Sequence, residues 1–258
     1  MGGPLLGIAV ALIAILLGNV LEGGHLGSMV GGPAAMIVVG GTMGAVLVQY
    51  PLSTVIGAFK SAAATFKKSA EDPHKILEEL VDYANRARRD GILALEKVAE
   101  AAPDPFTRKA LMMAVDGADA TTVRETMELA IGAEEEHGED QAKAFEAAGG
   151  YAPTVGIIGA VLGLIHVMSN LSDINAVGHG IAAAFVATIY GVAIANIVFL
   201  PLAGRIKLCL RERVQSREMI LAGILAIQAG MNPKLVRERL AEYIHTGHGK
   251  PAAPAAAP

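Results

Sequence analysis

The amino-acid sequence predicts an all-α integral membrane protein with four transmembrane helices and a large helical cytoplasmic region. Two observations predict this class. Apolar residues make up 53 % of the 258 residues and charged residues only 18 %, whereas about a quarter of a soluble protein is charged. The 21 Lys and Arg residues all fall in two blocks, 60–143 and 205–250. Because a water-soluble fold spreads its charges over its whole surface, this segregation indicates a membrane protein.

Four apolar stretches separate the charged blocks, and each approaches the roughly 20 residues that span a bilayer core as a helix. The third is marginal by length alone. The first lacks the basic segment and the cleavage site of a signal peptide, so it is predicted to remain as a span. The stretches are Pro4–Leu21, Pro33–Tyr50, Pro153–Met168 and Ile181–Pro201.

The positions of the basic residues predict the orientation. The short loops 22–32 and 170–180 contain no Lys or Arg, whereas Lys60 follows the second span and Arg205 follows the fourth. Basic residues collect on the cytoplasmic side of a membrane. Both termini and the two charged blocks are therefore predicted to lie in the cytoplasm.

The predicted domain organisation alternates membrane and cytoplasmic segments. Two pairs of spans, at 1–50 and 151–202, flank a cytoplasmic helical domain at 51–150. Cytoplasmic helices at 203–250 and a disordered Pro/Ala tail at 251–258 follow the last span.

Helix signals subdivide the cytoplasmic segments. An apolar stripe at helical spacing predicts a helix at 75–89 that starts at Asp72-Pro73. A shorter helix at 92–102 lies between Gly91 and Pro103. Thr122 and Glu125 form a capping-box pattern for a long helix that runs toward the third span. The fourth span is expected to continue to about Gln228, and Asn232-Pro233 to open a last helix that ends near His245.

Composition and motifs exclude several functions. The net charge of −4 is too small to indicate nucleic-acid binding. The single cysteine, Cys209, excludes an intramolecular disulfide and a cysteine metal cluster. The sequence shows no P-loop, nucleophile elbow or metal-ligand triad, so a non-enzyme without cofactor, catalytic residues or metal is predicted.

The four spans contain no Asp, Glu, Lys or Arg. A proton route through a membrane usually needs an ionisable group within the bilayer. If this chain conducts ions, a partner helix must therefore supply the carboxylate. Small residues repeat at helical spacing at Gly159 and Gly163, and again at Ala187, Gly191 and Ala195. For any one glycine the pattern favours packing within the chain, and its repetition on two spans favours an oligomer or a partner helix.

Four sequence features resemble the MotA/PomA family of flagellar motor stators, over nearly the whole chain from Leu5 to about His245. Their order, on four spans with a helical insertion between the second and third, is typical of that family. The features are Ile37-Val-Val-Gly-Gly41, the segment Ala87–Glu96, the segment Ala152–Leu164, and Thr188-Ile-Tyr-Gly191 leading through Asn196 to Pro201.

The resemblance implies an ion-driven motor subunit in the bacterial inner membrane. It implies a homopentamer around the transmembrane helices of a pair of MotB-like partners, whose membrane aspartate binds the passing ion. It also implies that cytoplasmic charges act on the rotor protein FliG. Arg88 and Glu96 match the family's rotor-facing charges, and Arg89 matches an additional basic position of sodium-driven members. Lys97 departs from the family, which has an acidic residue there.

The resemblance also implies an ion pathway that includes Ala160, Thr188, Pro153 and Pro201. The two prolines match family positions at the cytoplasmic ends of the third and fourth spans, where they act as flexure points. Sodium-driven members carry a threonine at the position of Ala160 and another at the position of Pro33, whereas Thr188 is shared by both types. Proton coupling is therefore predicted.

Four other functions remain open from the sequence. One is a sodium-driven PomA-type stator, and another is a TolQ/ExbB-like energiser of outer-membrane processes, although that group has three spans. The other two are a solute transporter and a membrane scaffold. A transporter is disfavoured because such folds place polar or broken helices at the membrane midplane.

Overall fold

The computed structural model describes residues 3–67, 72–169, 171–172 and 174–245. Within these residues every regular element is a helix, and four helices are long and apolar enough to cross a membrane: Gly3–Leu21, Leu26–Gln49, Ala120–Ser169 and Val177–Gln228. The predicted all-α membrane fold is thereby confirmed. The predicted disordered tail at 251–258 lies outside the described residues.

The first two spans are separate helical segments. Helix α1 (Gly3–Leu21) is followed by Gly23, whose φ of +85° favours glycine. This conformation lets the Gly24 amide donate to the Asn19 carbonyl at 2.9 Å. The second span consists of α2 (Gly32–Ala35), a π-helical turn (Met36–Gly40) and α3 (Gly41–Gln49). It ends at Tyr50, whose extended backbone is the conformation favoured before a proline.

Helix α4 (Leu52–Lys67) follows the second span directly. The sequence patterns did not predict it, because its alanines, glycine and hydroxyl residues give no clear stripe. Val55, Ala58 and Ala62 form its buried face and join the core of the membrane-spanning part.

Two long helical rods contain the third and fourth spans. Helix α8 (Ala120–Ser169) runs for 50 residues without a break. Helix α9 (Ile174–Ala193), a second π-helical turn (Ile194–Phe199) and α10 (Leu200–Gln228) follow one another directly. Both rods extend beyond the apolar stretches, as the capping pattern before α8 and the continuation to Gln228 predicted. The cap of α8 is Asp119 rather than Thr122, because Asp119 Oδ1 accepts the backbone N–H groups of Thr121 and Thr122 at 3.0 and 2.9 Å.

The chain divides into two compact units, Met1–Ser69 with Gly138–Leu208 and Ala70–His137 with Cys209–Pro258. We call the first the membrane unit and the second the charged unit. The core of the membrane unit contains small residues together with Phe145 and Phe199. Phe145 lies edge-on to Phe59, with ring centroids 5.2 Å apart, and 6.0 Å from Phe199.

The charged unit contains α5 (Pro73–Asp90), a 3₁₀ turn (Ile92–Leu95), α6 (Glu96–Ala101), α7 (Pro105–Val115) and α11 (Pro233–His245), together with parts of α8 and α10. Side-chain caps begin three of these helices. Asp72 accepts the His74 amide at 3.0 Å, Asp104 the Thr107 amide at 2.8 Å, and Asn232 the Lys234 amide at 3.0 Å. The starts predicted at Asp72 and Asn232 are confirmed, whereas α7 was missed.

Candidate functional site

The contact between α8 and α9 is made by backbone atoms. A Cβ atom placed on Gly191 would lie 2.5 Å from the carbonyl oxygen of Ala152, and one placed on Gly156 would lie 2.9 Å from that of Ala187. Only glycine permits such an approach, and close backbone contact gives transmembrane helices the dispersion energy that holds them together in lipid. These small residues therefore serve packing within the chain.

Ala160 and Thr188, the two candidate ion-pathway residues, flank this contact and are both half-buried. A Cβ placed on Gly156 would lie 3.4 Å from the Cα atom of Thr188. Gly156 is one helical turn from Ala160 in α8. The Thr188 hydroxyl donates to the carbonyl of Ala184, at 3.3 Å. This bond within the helix uses the hydroxyl hydrogen and leaves both lone pairs of the oxygen unoccupied by it.

Pro153 and Pro201 lie within the long rods. Pro153 is half-buried inside α8 and leaves the carbonyl of Gly149 without its helical N–H donor. Pro201 is exposed as the second residue of α10, and Leu200 separates it from the π-helical turn. A π turn holds an extra residue, which gives the proline ring room beside the preceding carbonyls. Both helices thus continue past the span ends predicted at these prolines.

The membrane unit exposes wide apolar faces. Helix α1 buries none of its residues. Such surface is stable in lipid or against other membrane-spanning helices. Large apolar side chains are also exposed along the third and fourth spans: Ile157, Ile158, Val161, Leu162, Leu164, Ile165, Phe185, Ile189 and Val192.

Tyr190 makes a polar contact that sequence reasoning missed. Its hydroxyl oxygen accepts the Gly31 amide at 3.1 Å and donates to the Met29 carbonyl at 2.7 Å. It thereby holds the loop before the second span against α9. The presence of a tyrosine in the fourth span was the available signal, but its partner depends on the packing of the helices.

The three candidate rotor-binding residues surround one tight turn of the charged unit. Arg88 and Arg89 are in the last turn of α5, and Glu96 is the first residue of α6. Gly91 joins the helices with φ +84° and ψ 163°, a conformation open to glycine alone. All three charged side chains are exposed, and Leu95 beside them is buried in the core. The structure therefore presents these charges together on a well-anchored turn.

The electrostatics of this turn distinguish its two arginines. Arg89 donates three hydrogen bonds of 2.9–3.1 Å to the carboxylate of Asp90. These bonds lower the pKa of Asp90 and raise that of Arg89. Arg88 and Glu96 have no ion pair within the described part of the chain. Arg88 and Glu96 are therefore available to an external partner, and Arg89 is already neutralised.

Among the residues that the structure describes, no group of three His, Cys, Asp or Glu side chains could hold a metal ion. A small cavity lies at the end of the second span that is predicted to face the cytoplasm, and its lining is apolar. It is bounded by Met43, Val46, Val55, Ala58, Phe59, Ala144, Phe145 and Ala148.

Two family models match the chain. Residues 98–219 match the MotA/TolQ/ExbB proton channel family, and residues 5–91 match the N-terminal region of Motility protein A. The chain is 34 % identical to Motility protein A of Bacillus subtilis, over 93 % of this chain and 89 % of the relative. It is also 34 % identical to the chemotaxis protein PomA of Vibrio alginolyticus, over 94 % of this chain and 95 % of the relative.

Two solved structures are similar to the fold. A chain of the C. jejuni MotAB structure superposes with a TM-score of 0.89 at 29 % identity, covering 97 % of this chain and 96 % of that chain. A chain of the flagellar MotAB stator complex from Bacillus subtilis superposes with a TM-score of 0.86 at 33 % identity, covering 93 % of this chain and 94 % of that chain.

Proposed function

The chain belongs to the MotA/TolQ/ExbB proton channel family and is a stator subunit of a bacterial flagellar motor, and from this premise we propose that it lines an ion path completed by a MotB-like partner. One observation carries the proposal: the four apolar spans contain no acidic or basic residue. The partner then supplies the aspartate that takes up the ion, because an ion crossing the bilayer needs such a group.

The exposed apolar faces of α8 and α9 support the partner's place. A homopentamer arranged around a pair of partner helices would cover such faces with other helices. The solved relatives are MotAB complexes. Both termini and the residue ranges 51–150 and 203–258 lie on the cytoplasmic side in this arrangement, which agrees with the distribution of basic residues.

The motor role is favoured over a TolQ/ExbB-like role by the first two spans. Residues 5–91 match the N-terminal region of Motility protein A, and the TolQ/ExbB arrangement has three spans. Pro153 and Pro201 are proposed as flexure points, since each interrupts the hydrogen-bond ladder of a rod without ending it.

The coupling ion is proposed to be the proton. Ala160 offers a methyl group where a hydroxyl would help to replace the hydration shell of sodium. Torque should therefore be unchanged when external sodium is varied at a constant proton-motive force, measured on tethered cells. The Ala160→Thr variant should still assemble. Torque that rises with sodium would favour a sodium-driven stator.

The rotor contact is proposed to use Arg88 and Glu96, against complementary charges on FliG. Reversing both, in Arg88→Glu with Glu96→Lys, should lower torque by about tenfold or more, because like charges facing each other across an interface cost several kcal/mol. The measurement is bead-assay torque in cells in which fluorescence confirms that the protein is present.

Arg89→Gln is the control for this experiment. Because Arg89 is already paired with Asp90, removal of its charge should have a smaller effect than the reversal of Arg88 and Glu96. Normal torque in the double variant would exclude this turn as the rotor contact and leave the ion path unaffected.

A further inference from the structure

The connector between α6 and α7, residues 102–104, is held by arginines from two different helices. Arg108 of α7 donates from Nη2 and Nε to the Ala102 carbonyl, at 2.6 and 3.2 Å. Arg217 of α10 donates from Nη1 to Oδ2 of Asp104. The connector thus has fixed contacts at both of its ends, which is unusual for a short surface loop.

Arg217 is the centre of a larger network. Its side chain is only 14 % exposed, and its Nε lies 3.4 Å from Glu134 Oε2 in α8. Its guanidinium also lies over the ring of Phe106, 4.8 Å from the centroid. A planar guanidinium can bind two acids and stack on an aromatic ring at the same time, whereas a lysine ammonium cannot do so.

Asp104 connects this network to the backbone of the charged unit. The same Oδ2 atom that meets Arg217 accepts the Thr107 amide at 2.8 Å and the Thr107 hydroxyl at 2.7 Å, and so caps α7. Burial alone would raise the pKa of Asp104, but the hydrogen bonds from Arg217 and Thr107 outweigh it and hold the pKa below its usual value. The carboxylate is thereby kept charged for both partners.

Helix α6 needs such anchors because it has only six residues, Glu96–Ala101. A helix this short is not stable by itself, so its direction is set by the contacts at its ends and on its buried face. Ala99 is buried on that face, and residue 102 follows immediately. The position of Glu96 therefore depends on how the connector is held.

We propose that Arg217 is a positioning residue for the rotor contact: through Asp104 it sets the direction of α6 and hence the position of Glu96. The relevance to torque rests on the proposed rotor contact.

The test replaces Arg217 by lysine, which keeps the charge and removes the planar fork. Hydrogen exchange of the purified stator complex is then followed by mass spectrometry. Exchange in residues 92–104 should become about tenfold faster or more, because a hydrogen bond to a charged group contributes at least that factor. Exchange in the α5–α11 contact should not change. The matched control is Arg213→Lys, because Arg213 meets the same Glu134 from the same helix but is half exposed.

A second variant tests the same contact in case Arg217→Lys does not fold. Asp104→Asn keeps a capping side chain for α7 but removes the charge that Arg217 binds, and it should accelerate exchange over the same residues. Unchanged exchange in residues 92–104 in both variants, or an equal rise throughout the charged unit, would overturn the proposal.

Torque for each assembled stator separates this inference from the proposed function. Local exchange that rises together with a fall in torque per stator supports both. Local exchange that rises while torque per stator stays normal supports the positioning of α6 by Arg217 and contradicts the rotor contact at Glu96.

Discussion

Gly191→Ala is expected to prevent assembly of the stator complex and to abolish motility. The new methyl carbon would lie 2.5 Å from the Ala152 carbonyl oxygen and 3.1 Å from the Gly156 Cα atom. Both neighbours are backbone atoms of α8, so no side chain can rotate away and the two helices must separate. Overpacking of a well-packed core costs about 1–3 kcal/mol, and separation also removes dispersion contacts that hold the helices together in lipid.

The measurement is the yield of complex that co-purifies with the MotB-like partner, together with spreading in soft agar. Gly178→Ala is the matched control in the same helix, because no atom lies within 4 Å of its added Cβ. Assembly of the Gly191 variant at the normal yield would show that α8 and α9 pack less closely than the structure indicates.

Leu80→Ala is expected to destabilise the charged unit by about 2–5 kcal/mol, the usual cost of a large cavity in a core. Leu80 is 1 % exposed in α5 and belongs to the main core of this unit. Its methyl carbons also lie against Gly223, close enough that a Cβ there would be 2.8 Å away. The cavity therefore has rigid backbone on one side and cannot close by a side-chain rotation.

Pulse proteolysis of the full-length protein in detergent, across a urea series, measures this loss. The matched control is Leu129→Ala, which removes the same atoms from a leucine that is 75 % exposed, and it should leave the free energy of unfolding nearly unchanged. Equal sensitivity of the two variants would place Leu80 outside the core.

Several elements could be predicted because their signals are local. The start of α5 follows from Asp72-Pro73, where a capping carboxylate precedes a residue with a fixed helical φ. The start of α11 follows in the same way from Asn232-Pro233. Helix α8 shows the limit of this reasoning: two capping residues, Asp119 and Thr122, stand close together, and only the hydrogen bonds select the first.

The candidate site was predictable in part for the same reason. The segment that contains Arg88, Arg89 and Glu96 could be located from the resemblance, since its charges lie close together in the sequence. The sequence could not show that Asp90 forms its ion pair with Arg89, whereas Arg88 has no ion pair among the described residues. The choice depends on side-chain directions at the end of α5, which the order of the residues does not determine.

The sequence by itself determined the number of spans and showed that they contain no acidic or basic residue. Burying a charge in hydrocarbon is so costly that charged residues are rare in membrane-spanning segments. Only the tertiary structure decided which glycine meets which helix, and that Arg217 binds an aspartate 113 residues away. Such pairings depend on how distant helices pack, because packing brings together residues whose contact no local sequence pattern indicates.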